Sequence, residues 1–415
     1  MSAETGKEPG HLSRRRLLGV AGATGAAGLV AGGAGGAVAA EAVRDQPAEL
    51  ASVGRGEVPF HGKHQAGIST PLQAAGHLAA FDLAGDADRR AAAALLRRWT
   101  RTAAALTAGK PAPARDTGVA RDAGPSSLTV TFGFGRSFFG RTGLADRLPE
   151  ALGPLPDFTA DHLDKRRSDG DLWVQIGADD PLVAFDALRA LQREAAETAA
   201  VRWQMSGFNR TPGATAHPMS MRNLMGQVDG TNNPKPAEKD FTAKVFVPEN
   251  GSPAWMAGGS YAVVRRIRML LDTWDHLSPE RQDQVIGRRK ADGAPLSGGT
   301  ETTPVALDKF TKDGAIAIAG DAHVRVAAPE SNSGATMLRR SFSYHDGYRD
   351  DGAPDAGLLF IAWQADPRHG FTPVQRKLDR GDGLSRFLRH EASGLFAVPG
   401  GCAPGDYVGQ ELLEG

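Results

Sequence analysis

Residues 226–230 read Gly226-Gln227-Val228-Asp229-Gly230, one carboxylate between two glycines, and a second turn signal, Thr231-Asn232-Asn233-Pro234, follows directly. Glycine has no Cβ, so at both flanks the backbone can come close to a bulky planar ligand. Asp229 then projects from a tight bend rather than from a solvated helix face, and a carboxylate held there can accept and return a proton. Asp-Gly and Asn-Pro are also ordinary turn punctuation. The pentapeptide alone fits a surface loop as well as a ligand rim, and the flanking sequence has to decide.

Upstream, the folded part starts at 58–71 (VPFHGKHQAGISTP) after a polar linker. Residues 76–101 are Ala/Leu-rich and predict an amphipathic helix, and 110–127 read as an exposed loop. LTVTFGFG (128–135) alternates as a strand ending in a glycine turn, and 171–177 (DLWVQIG) is a second strand. A helix is expected over 181–201, with Leu182, Phe185, Leu188, Leu191 and Ala195 on one face, and a strand over 201–209. Downstream the style repeats. Strands are expected at 260–271, 338–344 and 357–364, with a helix at 277–287 capped by Ser278 with Pro279 at its first position, and another helix within 371–390. Two α+β halves of similar size predict duplicated antiparallel-sheet domains with peripheral helices, 58–215 and 216–415.

Bulk properties exclude several classes. The chain has 415 residues, too many for one simple core, and Lys plus Arg balances Asp plus Glu at 48 each. No net field favours nucleic acid or an acidic membrane. Cys402 is the only cysteine, which rules out an internal disulfide and any Cys-x-x-Cys-His attachment of heme. At the N-terminus Ser13-Arg14-Arg15-Arg16-Leu17-Leu18 opens an uncharged run over 17–40, closed by the small-residue site Ala37-Val38-Ala39. Residues 1–40 read as a twin-arginine signal peptide followed by a linker over 41–57, and the many glycines weaken the competing reading of a retained membrane anchor. That signal predicts an exported protein, extracellular or in the cell envelope, handled by the Tat machinery. Tat export of a folded chain suggests a prosthetic group loaded beforehand.

Among eleven histidines, none has the spacing of a zinc site. His64 suits packing or a cofactor rim. His323 differs: Gly320-Asp321-Ala322-His323-Val324-Arg325 sets small residues before it and a base two positions on. On a strand that spacing puts His323 and Arg325 on one face, where an imidazole could meet the face of a large ring and a guanidinium its carboxylates. Leu338-Arg339-Arg340-Ser341-Phe342-Ser343-Tyr344 then carries two arginines on an apolar strand, and a buried arginine needs an acid or an anionic ligand.

These blocks in this order resemble the dye-decolorising peroxidase family, of the exported subgroup that includes deferrochelatase-type proteins. The resemblance runs through nearly the whole mature chain: VPFHGKHQAGISTP, LTVTFGFG, DLWVQIGADDPLVAFDALRAL, RWQMSGFNR, GQVDGTNNP, GGSYAVVRRIRM, AHVRVAAP, MLRRSFSY, GLLFIAWQ and FLRHEASGLFAVPGG. It implies two ferredoxin-like domains with a non-covalent heme b mainly in the C-terminal half. By the resemblance His323 would be the proximal iron ligand, Asp229 the distal acid–base group and Arg339 the distal arginine. Gly226 and Gly230 would let the backbone pass the porphyrin, Arg325 would contact a propionate, Phe360 would wall the distal pocket, and Asp382 would be the acid behind the proximal histidine.

The implied reaction is reduction of hydrogen peroxide with one-electron oxidation of dyes, phenolics or a metal reductant. Asp229 would move a proton between the peroxide oxygens while Arg339 stabilises the charge that develops. Trp363, Tyr344 and Tyr348 lie near the site in sequence and could relay electrons, although core packing suits them too. The alternatives are a deferrochelatase-type heme and iron handler and an exported heme carrier without turnover. An oligomer is left open.

Overall fold

The structure, a computed structural model, describes residues 52–415 apart from residue 115 and residues 216–219. The expected signal peptide, 1–40, and most of the linker, 41–57, lie outside the described residues. The described residues form nine strands: β1 Ala75–Leu83, β2 Thr129–Gly135, β3 Leu172–Ala178, β4 Ala199–Phe208, β5 Ser260–Met269, β6 Leu338–Arg339, β7 Phe342–Tyr348, β8 Pro354–Gln364 and β9 Leu388–Val398. The helices that frame them and the site are α1 Arg89–Thr107, α2 Pro181–Ala195, α3 Pro279–Ile286, α4 His323–Val326 and α5 Phe371–Gly381.

The N-terminal half runs β1-α1-β2-β3-α2-β4 and lines its strands up as β4-β1-β3-β2. The C-terminal half runs β5-α3-α4-β7-β8-α5-β9 and lines up as β7-β8-β5-β9. Both follow the same βαββαβ plan, which is the ferredoxin-like order. The halves join edge to edge, β2 to β9 at Phe134↔Ala397 and β4 to β7 at Phe208↔Ser343, and β5 also pairs with β8. Every pairing is antiparallel, so eight strands close into a ring, with β6 as a short extra segment on β8. Closure leaves no long edge to be protected.

That closure fuses the two ferredoxin-like halves, so the domains expected at 58–215 and 216–415 share one continuous sheet. Residues Ala51–Gly415 form one compact unit. The ring interior is one apolar core, with Trp173 stacked on Phe396 at 5.3 Å between centroids and Trp363 at 5.9 Å from Trp173. Tyr344 is buried in the same core, so it and Trp363 pack the barrel, while Tyr348 is 73% exposed. On the outer face of the C-terminal sheet Ile267, Met269 and Leu358 form a smaller cluster with Trp274.

Several sequence expectations shift. The helix expected over 76–101 is strand β1 followed by helix α1, whose N-cap Asp88 accepts from Ala91 N at 2.8 Å. Strand β1 is buried on both faces, Leu78 and Ala80 inside the ring and Ala79 and Phe81 beneath the helices. Polar alternation is therefore missing, and a short Ala/Leu run cannot be told from a helix. In α2 the buried stripe includes Val183, Ala184, Ala187, Leu188 and Leu191, whereas Leu182 and Phe185 are exposed. The strand expected over 338–344 breaks into β6 and β7 at Arg340–Ser341. Ser278 and Pro279 open α3 as expected. No helix among the described residues is long and apolar enough to cross a membrane.

Candidate active site

The sequence positions that looked chemical converge on a cavity of about 310 Å³, large enough for a small-molecule ligand. Its wall takes side chains from the 223–232 loop, from β5 and β8, from the start of α4 and from α5 with the turn after it.

Alternation along β6 decides which of the two arginines reaches this cavity. Arg339 pairs with Ala362 of β8, on the same outer face as Phe360 and Leu358, which line the cavity. Arg340 turns the other way. It is buried among backbone carbonyls, with Nε donating to Thr70 O at 2.8 Å and Nη2 donating to Pro71 O at 3.0 Å and to the Gln73 side chain. Burial pushes its guanidinium down to about 10. Arg339 finds its acid instead: Nη1 donates to Asp229 Oδ1 at 2.7 Å.

Asp229 is aimed by the bend that carries it. Its N–H donates to Met221 O at 2.8 Å, Gly230 takes φ +96°, and Asn223 Nδ2 donates to Asp229 Oδ2 at 3.4 Å. Burial alone would raise the Asp229 pKa; the Arg339 charge, the Asn223 hydrogen bond and the His323 charge more than offset it and hold the carboxyl below its ordinary value. Gly226 does a different job from the one expected. It adopts φ +77° and does not line the cavity, and a Cβ there would meet Lys290 Cε at 2.5 Å. Only Gly230 of the pair faces the ligand space.

His323 opens the four-residue helix α4, after Ala322 as N-cap. Its Nδ1 lies 3.0 Å from Asp382 Oδ2, and the Asp382 side chain is 1% exposed. Asp382 caps the turn after α5, accepting also from Leu384 N at 3.0 Å, which fixes the carboxylate. Burial opposes a charged imidazole, yet the Asp382 charge and hydrogen bond, helped by Asp229, win and raise the His323 pKa. With Nδ1 engaged, Nε2 is left for a ligand in the cavity that both His323 and Asp229 line.

Arg325 requires a correction. Residues 323–326 are helical, so a spacing of two turns Arg325 away from the face of His323. Its Nε donates to Ile318 O and Ala319 O at 3.1 Å, and Nη2 reaches Ile318 O and Leu307 O. It staples the preceding loop and is absent from the cavity wall. A second arginine in the wall, beside Arg339, is Arg288, which the sequence reading missed. Arg288 is 7% exposed, and Nη1 donates to Gly293 O at 2.8 Å and Glu301 O at 2.9 Å. No ion pair closes on it among the described residues, while burial, partly offset by Glu301 and reinforced by Arg339, lowers its pKa. In sequence it sits in Gly287-Arg288-Arg289-Lys290, which reads as a basic helix end. The one available signal was that three bases follow a glycine C-cap without an acid for each.

Other expected positions resolve simply. Phe360 lines the cavity, its ring 6.0 Å from Phe371. His64 stacks on Phe246 at 3.7 Å and is part of the packing. Cys402 lies away from the cavity, its thiol pushed up to about 11 by burial. A second cavity of about 240 Å³ shares Asp229, Gly230, Arg339 and Leu358 with the first. Among the described residues no cluster of three or more His, Cys, Asp or Glu could cage a metal ion unaided. The donor set instead fits a planar, dianionic macrocycle carrying its own metal: one histidine fixed through Nδ1, an apolar wall, and a buried guanidinium without a carboxylate.

Fold and site together define a heme-dependent peroxidase, with heme b as cofactor and hydrogen peroxide and a reductant as substrates. The chain belongs to the Dyp-type peroxidase family, whose C-terminal model matches residues 220–403 and whose N-terminal model matches 65–209. It is 48% identical over 361 residues to a dye-decolorizing peroxidase of Thermobifida fusca, covering 85% of this chain and 84% of that one. It is 35% identical over 419 residues to a deferrochelatase of Escherichia coli K12, covering 97% of each. Among solved structures, ferric DtpA from Streptomyces lividans is 69% identical with a TM-score of 0.87, covering 88% of this chain and 100% of that one.

Proposed function

We propose that His323 holds the heme iron through Nε2, that Asp229 and Arg339 activate peroxide, and that Arg288 receives a propionate. The observation that carries the reading is the 2.7 Å Arg339–Asp229 pair lining the same cavity as a histidine backed by a carboxylate. Bound in this cavity, heme b would supply the redox chemistry that couples peroxide reduction to one-electron oxidation of a reductant. Asp229, ionised at working pH, accepts the proton of one peroxide oxygen and delivers it to the other, so that the second oxygen leaves as water. Arg339 offers a fixed cation to the negative charge that grows on that leaving oxygen, without any reorganisation of solvent. Asp382 orients the His323 ring and strengthens its basicity. Phe360, Ile267 and Met269 keep water from the ligand face.

Stopped-flow mixing of heme-loaded protein with peroxide tests the roles. Wild type reacts rapidly, Asp229→Ala more slowly and Arg339→Leu slowest; variants equal to wild type would remove the distal assignment. An unchanged ferric spectrum in His323→Ala would remove the proximal one. Removal of iron from heme is a second reading, favoured by the Escherichia coli relative at 35% identity. Free porphyrin accumulating from heme without added peroxide would support it.

We also propose that residues 1–40 direct Tat export and that the mature protein works outside the cytoplasm. The support is the Arg14-Arg15-Arg16 motif ahead of an uncharged run and a small-residue site. Lys at all three arginines should trap heme-loaded protein in the cytoplasm, and undiminished export would sink the proposal.

A further inference from the structure

The peptide groups of Arg339 point off the ladder that holds it. Arg340 N–H donates to Ile361 O at 2.9 Å, so in the antiparallel β6–β8 pair the N–H and C=O of Arg339 face the opposite edge. That edge is where the two halves of the ring meet. Strand β4 covers it only at Phe208↔Ser343, and past that point no strand among the described residues is available to Arg339. The side chain of Asn233 takes the place of one. Its Nδ2 donates to Arg339 O at 2.7 Å, and Arg339 N–H donates to its Oδ1 at 3.2 Å. A primary amide carries a donor and an acceptor on one plane, so it completes a two-bond rung as a peptide would.

Asn233 belongs to the loop that carries Asp229, and its own N–H closes the turn onto Gly230 O at 3.0 Å. One short loop therefore grips Arg339 twice, at the backbone through Asn233 and at the guanidinium through Asp229. We propose that Asn233 is a positioning residue for peroxide activation, which fixes Arg339 relative to Asp229 by standing in for the missing strand. The proposal rests on reading Asp229 and Arg339 as the distal pair. Either substitution of Asn233 leaves a backbone group of Arg339 without its partner and frees a two-residue strand to shift. A displacement of about 1 Å in a catalytic group can cost on the order of 100-fold in rate.

Asn233→Ala and Asn233→Asp, each alone and combined with Arg339→Leu, provide the test in heme-loaded protein. Asn233→Asp keeps the size and one acceptor, loses the donor and sets a carboxylate against the Arg339 carbonyl, so it remains informative should Asn233→Ala fold poorly. The measurements are the peroxide rate constant, the affinity for cyanide as a readout of distal hydrogen bonding without turnover, and the Arg339–Asp229 distance in crystals. We expect about a 10- to 100-fold slower peroxide reaction, weaker cyanide binding and an Arg339–Asp229 separation beyond hydrogen-bond reach. Combined with Arg339→Leu, the Asn233 substitutions should add almost nothing, because their effect passes through Arg339. Full additivity, or wild-type rate and cyanide affinity in the single variants, would overturn the role of Asn233. If Arg339→Leu alone behaved as wild type, the distal reading itself would fall.

Discussion

His323 Nδ1 and Asp382 Oδ2 stand 3.0 Å apart, with the acid's side chain 1% exposed and tied to the turn after α5. An anionic acceptor at that position makes the imidazole a stronger electron donor to whatever Nε2 binds, and it fixes the ring against rotation.

Asp382→Asn keeps the shape and removes the charge. The expected outcome is a heme protein with a raised ferric/ferrous midpoint potential and about 10- to 100-fold lower activity or metal affinity. Potentiometric titration followed by visible absorption measures the first, and an unchanged potential would show that Asp382 is only a cap.

Asp229 makes a prediction about pH. Burial pushes its carboxyl up and the Arg339 charge brings it back below the ordinary 3.8, so the reactive carboxylate form persists to the acid side of that value. Arg339→Leu removes the main offset and leaves the burial. Its carboxyl should then titrate higher, and the acid limb of the peroxide rate should move to higher pH than in wild type. Rate–pH profiles of the two proteins decide it; a limb that stays in place or moves lower contradicts the pairing.

Much of this site was legible because its chemistry constrains residue type. A carboxylate in a glycine-flanked bend, a histidine after small residues and an arginine on an apolar strand are each unusual enough to be noticed. Geometry that depends on strand phase was less accessible. Arg339 and Arg340 are indistinguishable until the ladder with β8 assigns one to the cavity and the other to the carbonyls of Thr70 and Pro71. Arg325 was misread because four helical residues at 323–326 reverse the facing that a strand would give. Asn233 looked like turn punctuation, and its second use appears only where β4 ends. The fold class was visible in the two matching halves, but not their fusion. Each seam consists of one or two residue pairs, too few to leave a pattern in sequence.

The proposal gives Arg288 the propionate role that the sequence reading gave Arg325, and a matched pair of variants tests it. Arg288→Leu removes a charged donor from the cavity wall and should weaken heme retention by about 10- to 100-fold, from about 1.5–3 kcal/mol for a hydrogen bond to a charged group. Arg325→Leu should leave heme affinity near wild type and lower the thermal midpoint, since it frees the carbonyls of Ile318 and Ala319. Heme transfer to an excess of apomyoglobin measures the first effect and calorimetry the second. The reverse pattern would restore Arg325 as the propionate partner.

His390 carries the last prediction, on stability. It is 4% exposed, and Nδ1 has no hydrogen-bond partner among the described residues. Burial, reinforced by the Arg265 charge and only partly opposed by Asp379, lowers its pKa from 6.5 to about 3. The native protein therefore leaves this imidazole neutral over a range in which the unfolded chain would protonate it. With fewer protons bound in the native state, stability is full above the unfolded value of 6.5 and declines as pH falls toward about 3. The slope from this one group is at most about 1.4 kcal/mol per pH unit. His390→Leu abolishes the group's titration in both states, so its unfolding free energy should fall less steeply than that of wild type between pH 6.5 and 4. Urea unfolding of the two heme-loaded proteins at stepped pH gives the difference directly, because carboxylates common to both cancel. Parallel curves through that window would mean that His390 is already protonated in the native protein, with a counter-charge supplied at the cavity.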